Sequence, residues 1–158
     1  MAGVFILICS DGYDLNDRRV DGLAIASYRL KSGYWPLYSN TRNRRAIRPG
    51  DEFLVYLAGS GQDSRSIVAH GFFGPKKKRS VFSEEDELDI VSGNPETIFG
   101  VKDVEFFNPI LIRNVLPILH SYKRMKNKLR WGSLLVGGAR RISADEMHNI
   151  LEMKCASD

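Results

Sequence analysis

With 158 residues, 43% of them hydrophobic and 27% charged, the chain has the composition of one globular domain spanning residues 1–158, without internal repeats or a dividing linker. No apolar run approaches the roughly 20 residues of a membrane span. Two cysteines, with no CxxC and no Cys/His cluster, exclude a disulfide framework and a zinc site of ordinary spacing, so a reducing cytoplasm is the expected setting.

Residues 3–9, GVFILIC, are almost continuously apolar, the pattern of a central strand covered on both faces. They lack a basic leader and read as a strand, not a signal peptide. Within residues 14–31, Val20, Leu23, Ala24 and Ala26 approximate the spacing of a short helix. Ser39 or Asn40 is placed to cap a helical turn reaching about Ile47, where Pro49 stops it. Two runs rich in Phe, Val and Tyr or Ile, residues 52–58 and 66–73, flank a loop of turn formers at 59–65 and predict a β-hairpin. The basic run 76–79 reads as a solvated loop, with a phosphate contact as the sharper option. Residues 83–96 read as an exposed acidic excursion with no metal role.

Residues 98–107 predict another strand. Pro109 then precedes a helix on Leu111, Val115, Ile118 and Leu119, which Pro117 should kink. A basic connector at 123–130 leads to Trp131 and Gly132. Leu134, Leu135 and Val136, followed by Gly137 and Gly138, suggest a final strand or turn. Ser143 with Glu146 makes a capping box that opens a C-terminal helix through about Met153, with Met147, Ile150 and Leu151 inward. The class is α+β: a mostly β core with peripheral helices, a small and partly closed barrel. The element order is not the regular βαβ alternation of a Rossmann-type sheet.

Catalytic signals are missing. His70, His120 and His148 have no Ser, Cys or Asp partner at a triad spacing and read as structural. Gly59, Ser60 and Gly61 are not followed by Gly-Lys-Ser/Thr, so they end a hairpin and do not cradle phosphate. A non-enzymatic role without metal or cofactor is the expectation.

Charge is more informative. The net charge is only +4, but residues 22–50 contain no acid against Arg29, Lys31, Arg42, Arg44, Arg45 and Arg48. Residues 106–144 again contain none, against eight basic side chains that include Arg113, Arg140 and Arg141. A field of one sign over part of the surface favours a polyanionic partner. The aromatics Tyr34, Trp35 and Tyr38 surround Pro36 beside the first cluster, and Trp131 sits in the second. Stacking a base on an aromatic face gains roughly 1–3 kcal/mol, while extracting it from a duplex costs a few kcal/mol. Selectivity must then come from hydrogen bonds at the base edge, for which Ser10, Asp11 and Asn40 are candidates.

The order WPL, then N and R, then RPGDEFLVYLAG and SIVAHGFFG, resembles the EVE family of the PUA-like superfamily. Towards the C-terminus FFNPILIRNVLPIL, KLRWG and GARRISADEMHNIL resemble the same family's bacterial members, so the likeness runs over residues 5–153. It implies a PUA-like mixed β pseudo-barrel of five to six strands with peripheral helices, related to YTH domains, which hold a methylated adenine or modified cytosine in an aromatic pocket. Carried onto this chain, it makes Trp35 a cage wall, Tyr56 and Trp131 further walls, and Cys9 with Ser10 the base-edge groups. Where that family has Trp-x-Gly-x-Arg-Asn, this chain has Trp35-Pro36-Leu37-Tyr38-Ser39-Asn40: the glycine is missing and the asparagine displaced by one. The resulting expectation is a module that reads a modified base in DNA or RNA. Cys9, Ser10, Tyr34, Trp35, Pro36, Asn40, Tyr56 and Trp131 would bind the base, and Arg42, Arg44, Arg45, Arg140 and Arg141 the phosphates. A general PUA-type RNA-binding module and a domain for a nucleoside-like small molecule are the alternatives.

Overall fold

The computed structural model describes residues 2–78, 87–91 and 93–156, apart from the side chains of 155 and 156. The apolar run near the N-terminus forms β1 (Val4–Cys9), and its alternation explains why every position is apolar. Phe5, Leu7 and Cys9 enter one core, and Val4 and Ile6 enter a second on the other face. The first core is shared with α1 (Gly22–Ser32), Trp35, Phe53, Phe73 and Phe99. The second lies against α2 (Ile112–Val115) and the C-terminal helix, and takes in Tyr56, Leu134 and Ile150.

Six strands form one mixed sheet in the order β4 (Tyr34–Leu37), β7 (Thr97–Leu111), β6 (Ser66–Lys77), β5 (Glu52–Leu57), β1, β8 (Ala139–Ile142). A small ribbon of β2 (Gly12–Tyr13) and β3 (Arg19–Val20) stands apart from it. β1 pairs in parallel with β5 and antiparallel with β8. The β5–β6 ladder slips register at Val55/Tyr56, and the β6–β7 ladder slips three times along its length. Each extra residue bends its strand and increases the twist, which curls the sheet into a half-barrel. The fold is α+β, and no helix among the described residues is long and apolar enough to cross a membrane.

The hairpin and the capping box form as the residues predict. Glu52 to Leu57 pairs with β6, and at α4 (Ala144–Ala156) Ser143 N donates to Glu146 Oε1 at 2.9 Å while Glu146 N donates to Ser143 Oγ at 3.1 Å. Other expectations are corrected. Residues 39–47 are turns, not a capped helical turn, because Thr41 closes back on Tyr38 and Arg42 N is taken by Gly137 O. Pro109 lies inside β7. Beyond α2 the chain tightens into a 3₁₀ turn at Leu116–Ile118, where Pro117 has no N–H for a helical bond. A short α3 (His120–Lys123) and a 3₁₀ segment, Lys128–Leu135, replace the connector and strand expected there, and β8 starts only at Ala139. Lys76 and Lys77 continue β6; Arg79 and residues 83–86 lie outside the described residues. Glu87, read as part of an exposed acidic excursion, is 0% exposed.

Candidate nucleic-acid interface

The C-terminal end of β1 opens into a cavity of about 540 Å³. Cys9, Ser10 and Asp11 enter from the strand, Tyr38 and Asn40 from the turn after β4, and Gly137 with Gly138 from the loop before β8. The turn is closed twice: Tyr38 N donates to Thr41 Oγ1 at 2.9 Å and Thr41 N donates to Tyr38 O at 2.9 Å. Asn40 stands exposed at its tip. The opposite wall is drawn close because Arg42 N donates to Gly137 O at 2.7 Å and Asn43 Nδ2 to Ala139 O at 3.1 Å. Gly137 and Gly138 both sit at φ 85°, and a Cβ on Gly137 would lie 2.6 Å from Arg42 Cδ. Only glycine permits both that backbone and that approach.

Titratable groups set the polarity of the walls. Burial pushes the Cys9 thiol up to about 11, so it remains neutral and donates to Gly22 O at 3.5 Å. Burial also acts to raise Asp11, but the N–H groups of Ser60 and Gly22, at 3.0 and 2.9 Å, together with Arg19, hold it below the ordinary carboxylate range. Arg29 reaches the cavity from α1, 8% exposed. Its Nε donates to Glu87 Oε1 at 2.9 Å, an Nη donates to the same oxygen, and its guanidinium lies 5.1 Å from the Trp35 ring centre. Tyr34 donates its hydroxyl to the other Glu87 oxygen; burial and that bond raise its pKa, so it stays a donor.

A second groove, of about 280 Å³, shares Val136 with the first and is lined by Arg42, Arg140 and Arg141. Arg140 is partly committed, donating to Ser121 Oγ at 2.8 Å, and Arg141 lies 5.7 Å over the Phe5 ring. Arg42 is exposed.

No protein-family model and no curated protein matches the sequence. Solved structures do. Human THYN1 in complex with 5-methylcytosine-containing DNA superposes with a TM-score of 0.62 at 14% identity, covering 97% of this chain and 98% of that one. The N-terminal domain of McrB from Staphylothermus marinus gives 0.60 at 7% identity over 96% and 94%. The Pho92 YTH domain in complex with m6A gives 0.57 at 11% identity over 99% and 85%. This chain has the PUA-like fold.

Within this fold the sequence-predicted residues separate into distinct places. Cys9, Ser10 and Asn40 meet at the main cavity, joined by Tyr38 and Arg29, which sequence reasoning had not assigned to the base. The expected indole cage is not assembled. Trp35 is 3% exposed and pairs with Phe99 across β4 and β7, so its ring fills the core and backs Arg29 from behind. Tyr34 and Pro36 are buried in the same strand. Pro36 is tolerated because β4 is an edge strand, where the missing N–H breaks no ladder. Tyr56, also 3% exposed, points into the second core. Trp131 is half-buried against that second core and lines a different groove. Among the arginines, Arg42, Arg140 and Arg141 converge. Arg44 and Arg45 line another groove with Arg48 and Lys76, and Arg44 is paired to Glu96 at 2.6 Å.

Among the described residues no three His, Cys, Asp or Glu side chains cluster as a metal would require. The histidines have local partners: His70 Nε2 meets Glu52 Oε2 at 2.5 Å, His120 N donates to Glu146 at 3.0 Å, and His148 meets Glu152 at 3.0 Å. The missed participants carried a faint signal. Arg29 is a lone charge on the apolar face of α1, and a charge there requires a buried partner.

Proposed function

We propose that this chain is a non-enzymatic nucleic-acid-binding domain that takes a modified base, methylated in the simplest case, into the cavity at the end of β1 and rests the flanking phosphates on Arg42, Arg140 and Arg141. The observation carrying this reading is that the cavity and the arginine groove adjoin, sharing Val136 as a common wall. Its volume lies within the roughly 300–1,000 Å³ of small-ligand sites. THYN1 bound to methylated DNA and a YTH domain bound to m6A give the same fold a precedent for such a partner.

The chemistry follows from the walls. Tyr38 offers a ring for stacking, worth about 1–3 kcal/mol. Drawing a base from a duplex costs a few kcal/mol, so edge contacts must supply the balance. Asn40 presents both a donor and an acceptor, the pairing a base edge requires. Ser10 adds a hydroxyl, and Arg29, a donor only, favours a base with a carbonyl or ring nitrogen on that side. A methyl group buried against Ile25 and Ile90 gains about 0.8 kcal/mol, roughly fourfold in affinity.

The test is titration of matched oligonucleotides containing 5-methylcytosine, N6-methyladenine or neither, as DNA and RNA, single- and double-stranded. One modified form should bind several-fold tighter than its unmodified match. Tyr38→Leu should erase that difference. Arg42→Ala should weaken all forms alike and reduce the log–log salt slope by about 0.7–0.9. Equal affinity across every matched pair would overturn the proposal.

A further inference from the structure

A separate space of about 340 Å³ lies between Ser64, Arg65 and the start of α2, with Trp131 as one wall. The indole is half-buried: one side packs on the second core and the rest borders the groove. Arg65 and Arg113 flank it, and neither has a carboxylate partner among the described residues. Around Arg113 and Trp131 the sequence supplies none nearby, since residues 106–144 contain no acid, while Lys126, Lys128 and Arg130 lead into the indole. The acid nearest Arg65 in the chain, Asp63, is exposed and is not paired with it.

Arg65 has an unusual backbone conformation. It sits at φ 60°, a left-handed conformation that costs a non-glycine residue roughly 1–2 kcal/mol. Two backbone bonds enforce it: Arg65 N donates to Leu57 O at 2.6 Å, and Ile112 N donates to Arg65 O at 2.8 Å. The exposed guanidinium is thereby carried on a fixed base beside the indole.

We infer that this groove is a stacking platform for one unpaired nucleotide, its base on the free part of Trp131 and its phosphate on Arg65 and Arg113. A tryptophan that merely closes the core would need no pair of uncompensated guanidinium groups at its rim. A planar base with an anionic tether satisfies both features, and stacking of this kind tolerates any base. The same loop joins the platform to the main cavity: Ser60 N is bonded to Asp11 Oδ2 at 3.0 Å, while Ser64 and Arg65 line the platform. Five residues span at most about 18 Å, so a strand of a few nucleotides reaches both sites. The inference rests on the nucleic-acid part of the proposed function and not on recognition of a modification.

Octathymidylate as DNA and octauridylate as RNA, both unmodified, are suitable probes. In the unaltered protein Trp35 is 3% exposed, so acrylamide quenching of tryptophan fluorescence reports on Trp131. Octamer binding should reduce that quenching. Trp131→Ala should weaken octamer binding about tenfold, with Trp131→Phe retaining most of it. Arg113→Ala should weaken it with a shallower salt slope. None of these variants should change the affinity ratio between modified and unmodified oligonucleotides. Unchanged quenching on binding, Trp131→Ala within about twofold of the parent, or no binding of either octamer would each overturn the inference. Should Trp131→Ala fail to fold, the phenylalanine variant and the quenching of the unaltered protein decide. Equal binding of matched modified and unmodified strands would remove the base-reading proposal and leave the platform standing.

Discussion

Arg29 Nε donates to Glu87 Oε1 at 2.9 Å, tying α1 to a buried carboxylate. Trp35 lies against the guanidinium 5.1 Å away, and the Tyr34 hydroxyl holds the second carboxylate oxygen. Three side chains from two other segments thus fix this one cation beneath the main cavity. The aromatic residues of β4 serve the site from behind, through Arg29.

Removing one member should expose how much of this is stability. Glu87→Ala leaves a buried guanidinium without its counter-charge, which costs about 3–5 kcal/mol. The exposed pair Arg44–Glu96 is also close, at 2.6 Å, yet Glu96→Ala should cost only about 0–1 kcal/mol because water screens it. Urea unfolding of both variants measures the contrast. Equal losses would mean that Arg29 is solvated through the cavity.

Asp11 gives the pH dependence. Its folded pKa is depressed, so its contribution is fully present above the unfolded carboxylate value of about 3.9 and is lost as pH falls through the folded value. Asp11→Asn should therefore be less stable than the parent at pH 7, and the gap should begin to narrow as pH falls below about 4. Loop 59–65 should loosen in the variant, because Ser60 N and Gly22 N lose a charged acceptor. Urea midpoints at pH 7 and pH 3 test the first point, and amide exchange at Ser60 the second. A gap at pH 3 no smaller than that at pH 7 would assign the loss to packing.

The backbone was more legible than the site. The run 3–9 announced a two-faced central strand, because covering both faces demands apolar residues at both parities. Ser143 and Glu146 announced a helix start through two reciprocal bonds that depend on three residues of local chain. β4 was hidden, since an edge strand containing proline looks like a loop until its partner, β7, is known. The arginine groove was partly legible, as acid-free stretches leave bases unpaired wherever they fold. Which of those arginines converge depends on the two glycines at 137 and 138, a contact between segments 96 residues apart in the chain. Trp35 misled for a related reason: flanking turn formers and basic residues suggest a surface ring, but strand pairing turned it inward.

Gly137→Ala should damage function and stability together. The residue occupies φ 85°, and the added Cβ meets the Arg42 side chain at 2.6 Å. Strain of this kind costs about 1–3 kcal/mol. Relief would push Arg42 away from the groove, lowering affinity for every oligonucleotide alike. Gly93→Ala, at φ 75° with nothing within 4 Å, carries the backbone strain without the contact. It should cost less stability and leave binding unchanged. Thermal melting and oligonucleotide titration of the pair separate the two effects.

The division of labour between Trp35 and Tyr38 is the sharpest consequence of the geometry. Trp35→Ala removes a fully packed indole and the support behind Arg29, so about 3–5 kcal/mol of stability should go. Trp35→Phe keeps a ring in the core and should leave the preference for a modified base nearly intact. Tyr38 lines the cavity, so Tyr38→Leu should keep much of the fold and lose the stacking face, lowering affinity for the preferred base roughly tenfold. Urea unfolding and oligonucleotide titration on the same three variants place each residue. If Trp35→Phe removed base preference while Tyr38→Leu preserved it, the base would have to reach β4 rather than the end of β1. That would require the half-barrel to open between β4 and β7, against the four paired positions that now join them.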